Sequence, residues 1–264
     1  MPAPSYPILE FDPSPDAIIE PHLALTPIEV PTHAVICFFR EVVEKVANDL
    51  GAKQIGRLEC EMGTYPVFEA DYSGRRLAIA QGGVGAPLAA GWLDELIAHG
   101  CRAFVAVGGA GALVPQLTLG HIVVPTSAVR DEGTSYHYLA PSREVAPTDD
   151  AVAAIIATLD RHDIPHVAGK TWTTDGFYRE TRGKTGRRVA EGCLTVEMEA
   201  AAFFAVARFR GVSFGQMLYA GDDLSGEAWD PRGWNRHAAG REMLFHLAAE
   251  AVLAIDVSTR PGGP

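Results

Sequence analysis

The 264-residue sequence predicts an α/β fold in a single domain, and three observations carry that reading. Short apolar runs alternate with segments of helical spacing, which implies a sheet with crossover connections. The run "RAFVAVGG" (102–109) is continuous enough to lie buried on both faces of such a sheet. No internal repeat or linker divides the chain.

Taken in order, residues 1–32 carry many prolines and read as an extended arm, either free or wrapped on a neighbour; residues 33–256 form the α/β domain, and 257–264 a disordered tail. "HAVICFF" is a buried strand followed by "REVVEKVANDLG", a helix with a glycine stop. "YPVFEADYSGRRLAIAQ" is a hairpin turning at "SGR". In "APLAAGWLDELIAHG", Ala89, Leu93, Leu96 and Ile97 share one helical face and Gly100 ends it. "RAFVAVGG" and "HIVVPTSAVR" are central strands, and the glycines of "FVAVGGAGAL" (104–113) read as a tight turn beyond the first. A helix over about 149–162, the extended stretch "HVAGKTWTTDGFY" and a polar segment 179–192 follow. "LTVEMEAAAFFAVARFRG" begins as strand and turns helical, "VSFGQMLYAGDD" is a strand ending in acids, and a last helix spans about 237–255.

Composition narrows the function. A formal charge of −11 and a pI near 5.2 oppose binding to an extended phosphate backbone, so nucleic acid is not expected as a partner. Cys37, Cys60, Cys101 and Cys193 are scattered among apolar neighbours without CxxC spacing, so neither a metal nor a redox site is expected. The N-terminus has neither a basic region nor an apolar core of a signal segment, and no apolar run is long enough to span a membrane, so a cytoplasmic location is expected.

Ligands of open α/β sheets sit beyond the carboxyl ends of strands, and three such ends carry unusual chemistry: "GGAGA", "VEME" and "AGDD". Glu197 and Glu199 stand at a strand-to-helix junction, where they either favour the helix N-terminus through its dipole or accept hydrogen bonds from a vicinal diol such as ribose, with Met198 against the sugar. Asp222 and Asp223 either cap the next turn or supply a general acid for a leaving group. Asp175 in "TTDGFY" reads as a cap. Phe177 and Tyr178 serve either as core or as a platform for a flat ring.

Together these stretches resemble the nucleoside phosphorylase superfamily, which includes uridine phosphorylases, hexameric purine nucleoside phosphorylases and methylthioadenosine/S-adenosylhomocysteine nucleosidases. The resemblance runs from about His22 to Ala254 and rests on "HLALT", "GGVGAP", "VGGAGAL", "LGHIVVPTSAVRDEGTSYHY", "TTDGFY", "VEMEAAAFFAVA" and "GDD", in family order. It implies a central mixed β-sheet flanked by helices, an enzyme that cleaves the N-glycosidic bond of a ribonucleoside, no cofactor, and a homo-oligomer of at least two subunits. It also implies roles: Met198 and Glu199 at the ribose hydroxyls with Glu197 close by, Asp222 protonating the departing base, Phe177 stacking on it, and the backbone of Gly109, Ala110 and Gly111 lining base and sugar. His22 matches a histidine that in relatives reaches the 5′-hydroxyl in a neighbouring subunit.

The phosphate ligands of the family are missing. Its "GDPxR" loop reads "CFFREV", with Phe38 near the glycine position and Val42 near the arginine; in "R-x-G-T-x-G", Ala106 replaces the arginine and Gly109 the threonine. No adjacent-subunit arginine is evident around "CEMGTYP". A desolvated phosphate needs charge-assisted hydrogen bonds, so the expected acceptor is water, with Glu41 as its activating base and Glu44 and Glu199 as alternatives. Phosphorolysis through a relocated Arg40 or Arg130, and nucleoside binding without turnover, are the competing readings. "GFYRETRGK" lacks the Gln of uracil-specific relatives, and Asp222 suits protonation of a purine N7, which favours a purine-like base.

Overall fold

The computed structural model describes residues 6–234 and 238–258. Most of the expected tail, 259–264, lies outside the described residues, as do residues 1–5 of the arm and residue 237 of the expected last helix.

Strand β1 (His33–Cys37) is buried throughout, because "HAVIC" pairs in parallel with β4 (Arg75–Gln81) on one side and β5 (Ala103–Ala112) on the other. β4 continues antiparallel into β3 (Gly63–Tyr72), and β3 into β2 (Lys53–Cys60). The β3–β4 hairpin turns where expected, with Ser73 at φ 55° and Gly74 at φ 80°, the positive pair that a tight two-residue turn needs. The sequence reading did not anticipate β2. It is an edge strand, largely exposed, so it lacks the apolar run that marks buried strands.

Strand β5 is the pivot. Ala103 to Ala110 pair in parallel with β10 (Ser213–Asp223), while Gly111 and Ala112 pair antiparallel with β9 (Cys193–Glu197). β10 pairs antiparallel with β6 (Ile122–Asp131), β6 in parallel with β8 (His166–Thr174), and β8 in parallel with β9; two-residue β7 (Glu144–Val145) adds to β6. Strands β5, β10, β6, β8 and β9 therefore close on themselves, and β1 to β4 extend outward as an open wing of the same mixed sheet.

The glycine stretch at the end of β5 is strand, not the expected turn. Neither Gly108, Gly109 nor Gly111 takes a positive φ. Partners on both sides hold the backbone extended, and what the glycines supply is room. A Cβ on Gly111 would sit 2.5 Å from Leu224 Cδ1, and one on Gly108 would sit 3.0 Å from Phe38 Cδ2.

Helices cover both faces. α3 (Ala86–His99) and α6 (Ala200–Arg210) pack together on one side, over Phe104, Phe203 and Phe214. α2 (Arg40–Asp49), α4 (Asp149–Arg161) and α7 (Ala238–Leu253) cover the other, over Val105, Ile155 and Phe245. The polar segment 179–192 contains a helix, here called α5 (Arg182–Ala190), capped by Thr181 Oγ1, which accepts from the Lys184 amide at 3.4 Å. Its inward side chain is Arg188, paired with Asp131 and Glu191 and lying 5.4 Å over the Trp172 ring, so apolar periodicity does not reveal it. Among the described residues, no helix is long and apolar enough to cross a membrane.

The described part of the arm is tied to its own chain. Glu20, buried just before the single-turn α1 (Pro21–Ala24), accepts from Arg210 Nη1 at 3.1 Å; Arg210 Nε donates to Asp94 at 2.7 Å, and Tyr138 donates to the same Asp94 at 2.7 Å. Replacing Arg210 by Met strands two carboxylates at low exposure and is expected to cost about 3 kcal/mol of unfolding free energy. Urea denaturation measures this, and adding Glu20→Gln and Asp94→Asn to the same protein should restore much of the loss.

Candidate active site

Strand ends and loops converge on a cavity of 610 Å³. Phe38 and Phe39 follow β1, Gly108 to Gly111 close β5, Met198 and Glu199 follow β9, and Asp222 lies at the end of β10. Phe177 and Tyr178 enter from the turn before α5, their ring centroids 4.2 Å apart, and Trp229 and Trp234 enter from the loop after β10. This is the crevice beyond strand ends where α/β sheets hold ligands. Rings and bare backbone form most of the wall. Its charged members are Glu180, Glu197, Glu199 and Asp222, and no Lys, Arg or His is among the described lining residues.

Glu197 and Glu199 divide their work by geometry. Glu197 Oε2 accepts the Glu199 and Ala200 amides at 2.8 and 2.7 Å, and its Oε1 accepts from Thr173 Oγ1 at 2.6 Å; Thr173 Oγ1 in turn accepts the Ala201 amide at 3.0 Å. Glu197 thus caps α6, at a terminus whose dipole favours a carboxylate. Glu199 accepts one backbone donor, the Gly85 amide at 2.6 Å, which ties the "GGVGAP" loop to the cavity. Burial, and then the neighbouring Glu197 charge, push the Glu199 carboxyl well above the usual carboxylate range. Glu197 is pushed up by burial as well, against the pull of its three donors, so of this coupled pair Glu197 is the more readily ionised.

The two adjacent aspartates also separate, as successive residues of an extended strand do. Asp222 faces the cavity, where its Oδ2 accepts Trp229 Nε1 at 2.7 Å. Asp223 braces the loop: it pairs with Arg232, accepts the Ser225 amide at 2.8 Å, and exchanges backbone hydrogen bonds with Asp230. Glu180 lies half-buried beside Asp222, and burial together with the Asp222 charge pushes its carboxyl up to about 7.

Of the residues the sequence singled out, Phe38, Gly109, Ala110, Gly111, Phe177, Glu197, Met198, Glu199 and Asp222 line this one cavity. Glu41 and His22 do not. Glu41 heads α2 and is held by Arg241 Nη1 at 2.6 Å, away from the lining, so the structure does not bring the expected water-activating base to the pocket. Glu44 is exposed and paired with Arg40 at 2.8 Å. His22 is exposed on α1, outside the cavity of its own chain. Asp175 accepts the Gly133 amide at 2.9 Å, a loop tie in place of the expected cap.

Both arginines considered for a relocated phosphate are engaged elsewhere. Arg40 is a surface partner of Glu44, and Arg130 donates to Ser135, Ala140, Ser142 and Leu139 at 2.7 to 3.0 Å. Sequence reading missed Glu180, Gln216, Trp229 and Trp234 in the lining. It also missed Arg241, buried against the Phe39 and Trp234 rings at 4.5 and 5.0 Å. Gln216 carried a legible sign, a single amide inside the apolar strand "VSFGQMLY". In register it lies beside Ala106, on the face that carries Ile36 of β1, and its Oε1 is buried without a hydrogen-bond partner.

The raised Glu199 carboxyl fixes the sign of a stability effect. Above about pH 4.5 the unfolded chain releases this proton while the folded chain retains it, so stability falls as pH rises toward the folded value. Glu199→Gln removes that loss. Its melting temperature should exceed wild type by a few degrees at pH 8 and match it near pH 4, measured by thermal unfolding across that range.

Comparison with known proteins agrees with this geometry. Residues 32–251 match the family model described as the phosphorylase superfamily. The chain is 30% identical to the guanosine phosphorylase of Halorubrum lacusprofundi, over 78% of this chain and 84% of that protein. It is 27% identical to a DeoD-type purine nucleoside phosphorylase of Myxococcus xanthus, over 79% and 83%. Its fold superimposes on the uridine phosphorylase of Vibrio fischeri with a TM-score of 0.72 at 24% identity, covering 85% of this chain and 92% of that one. It also superimposes on the purine nucleoside phosphorylase of Toxoplasma gondii, solved with immucillin-H, with a TM-score of 0.73 at 21% identity over 85% and 91%. An α/β sheet closed around β5, a cavity at its strand ends and a family match over most of the chain make this protein an enzyme of the phosphorylase superfamily.

Proposed function

We propose that the enzyme cleaves the N-glycosidic bond of a purine ribonucleoside and passes the ribosyl group to water. Superfamily membership supports the bond, and the guanosine and purine phosphorylase relatives support the base class. The observation that carries the acceptor is Gln216. In register with Ala106, where relatives place a phosphate-binding arginine, the cavity offers a neutral amide whose buried oxygen has no partner. A water molecule donates to that oxygen. Among the described lining residues a phosphate dianion has no cation to meet, and Phe38 adds an apolar wall.

In this mechanism Phe177 and Tyr178 cover the base, and Glu199 accepts from the ribose hydroxyls while Glu197 holds it in place from the α6 terminus. Asp222 gives its proton to purine N7 as the C1′–N9 bond breaks, so the bonding pair leaves with the base. The water oxygen bonds to the oxocarbenium-like C1′, and the proton it loses passes to Glu199 in its ionised form, which its raised proton affinity makes the stronger base. The products are free ribose and the purine.

Phosphorolysis is the second reading, and the names of the relatives favour it. Incubating the protein with purine nucleosides, with and without phosphate, separates the two: free ribose at a phosphate-independent rate is expected, and ribose 1-phosphate formed only with phosphate would overturn the water reading. Asp222→Asn should lower kcat by about 10²- to 10⁴-fold, the usual worth of a general acid, with a smaller effect on KM. Unchanged turnover would remove Asp222 from the acid role.

A further inference from the structure

A second cavity, of 480 Å³, adjoins the first, and the chemistry above does not use it. Glu180, Leu224 and Trp229 line both, so the two meet at the base end, beside the Asp222 to which Trp229 donates. Its walls include Leu113 to Pro115, just beyond β5, and Gly186 and Val189 of α5. Val189 is the one large apolar side chain of α5, and it stands exposed there instead of packing into the core. Gly186 is not required by the fold. Its φ is not positive and a Cβ built on it meets nothing within 4 Å, so neither turn geometry nor packing asks for glycine in a helix that glycine weakens. What Gly186 provides is open wall.

The lining selects the chemistry of an occupant. Arg182, the cation among the described lining residues, donates to the Gly226 carbonyl at 3.2 Å, and the Glu180 carboxyl at the shared rim disfavours an anionic group. Leu113, Val114, Val189 and Trp229 offer apolar and aromatic surface, which suits a hydrocarbon chain or a ring. In the orientation proposed above, purine N7 faces Asp222. The exocyclic group on C6 is the neighbour of N7 across the ring fusion, so it comes to the rim that Trp229 forms. We infer that the second cavity is a subsite for a substituent on the base, and that the enzyme takes purine ribonucleosides carrying an apolar alkyl or arylmethyl group on the C6 amino nitrogen. The nitrogen lies at the shared rim, and its substituent runs on between Trp229 and the bare face of α5. The inference rests on the nucleoside-cleaving reading of the first cavity and narrows its substrate class.

The test uses 6-benzylaminopurine and adenine as free bases. Binding is read by quenching of tryptophan fluorescence, since Trp229 lines both cavities and no turnover is needed. In parallel, kcat/KM is measured for the two ribosides. Wild type should bind the benzyl base about tenfold or more tightly than adenine, the worth of burying most of one aromatic ring. Gly186→Leu, which fills the subsite from open space, should abolish that advantage and leave adenine binding unchanged, which also shows that the variant is folded. Val189→Asn, which makes the wall polar, should lower the advantage severalfold. Gly183→Leu, on the same helix but outside both linings, should retain it. A benzyl advantage absent from wild type, or intact in both Gly186→Leu and Val189→Asn, overturns the subsite. If wild type cleaves adenosine without any benzyl preference, the proposed function stands and the subsite falls. If it cleaves no nucleoside yet binds the benzyl base through the Gly186 wall, the function falls and the subsite stands.

Discussion

The cavity depends on one constraint: β5 must hydrogen-bond on both sides while presenting no side chain at its end. The pairing with β10 and then β9 fixes the backbone of Gly108 to Ala112 as extended strand. The missing side chains let Phe38, Leu224 and Trp234 approach within van der Waals distance of where Cβ atoms would stand. Bulk at Gly111 would push against Leu224 and Val196 together and so disturb the strand that ends in Glu197. Closure of the five-stranded loop, the position of Glu197 and the shape of the pocket are therefore set by the same few residues.

From β9 the constraint passes to α6. Glu197 caps the helix with two amide bonds and a threonine bond, and this fixes the backbone on which Glu199 stands. Glu199 in turn reaches across to Gly85 at the start of α3. An edge built on two helix starts and a strand end is rigid, as the proposed ribose site needs to be to hold a reacting centre in register. The loop after β10 is built differently, braced by Asp223 and Arg232, and it brings two tryptophans over the other end.

Much of this was legible before any coordinates. Buried strands announced themselves as apolar runs, and the chemistry at "GGAGA", "VEME" and "GDD" is found at one cavity because all three are strand ends. What the sequence concealed was concealed for physical reasons. β2 lies exposed at the sheet edge, and α5 turns Arg188 inward onto Trp172, so neither shows apolar periodicity. Glu180 stands in a polar stretch where only the long-range path of the chain places it beside Asp222, and Trp229 stands in the polar loop that follows that aspartate. Glu41 reads well as a base from its place after β1, yet Arg241, two hundred positions away, holds it elsewhere.

The bond between Trp229 and Asp222 makes ligand entry an exchange. The indole N–H of Trp229 donates to the aspartate at 2.7 Å. In the proposed mechanism an arriving purine N7 accepts from Asp222 and so reverses the direction of that bond, whereas the departing base, protonated at N7, donates to Asp222 as the indole does. The leaving base then faces a competitor that is tethered to the protein and always present. In the proposed mechanism the tryptophan therefore lowers the cost of releasing the product from Asp222.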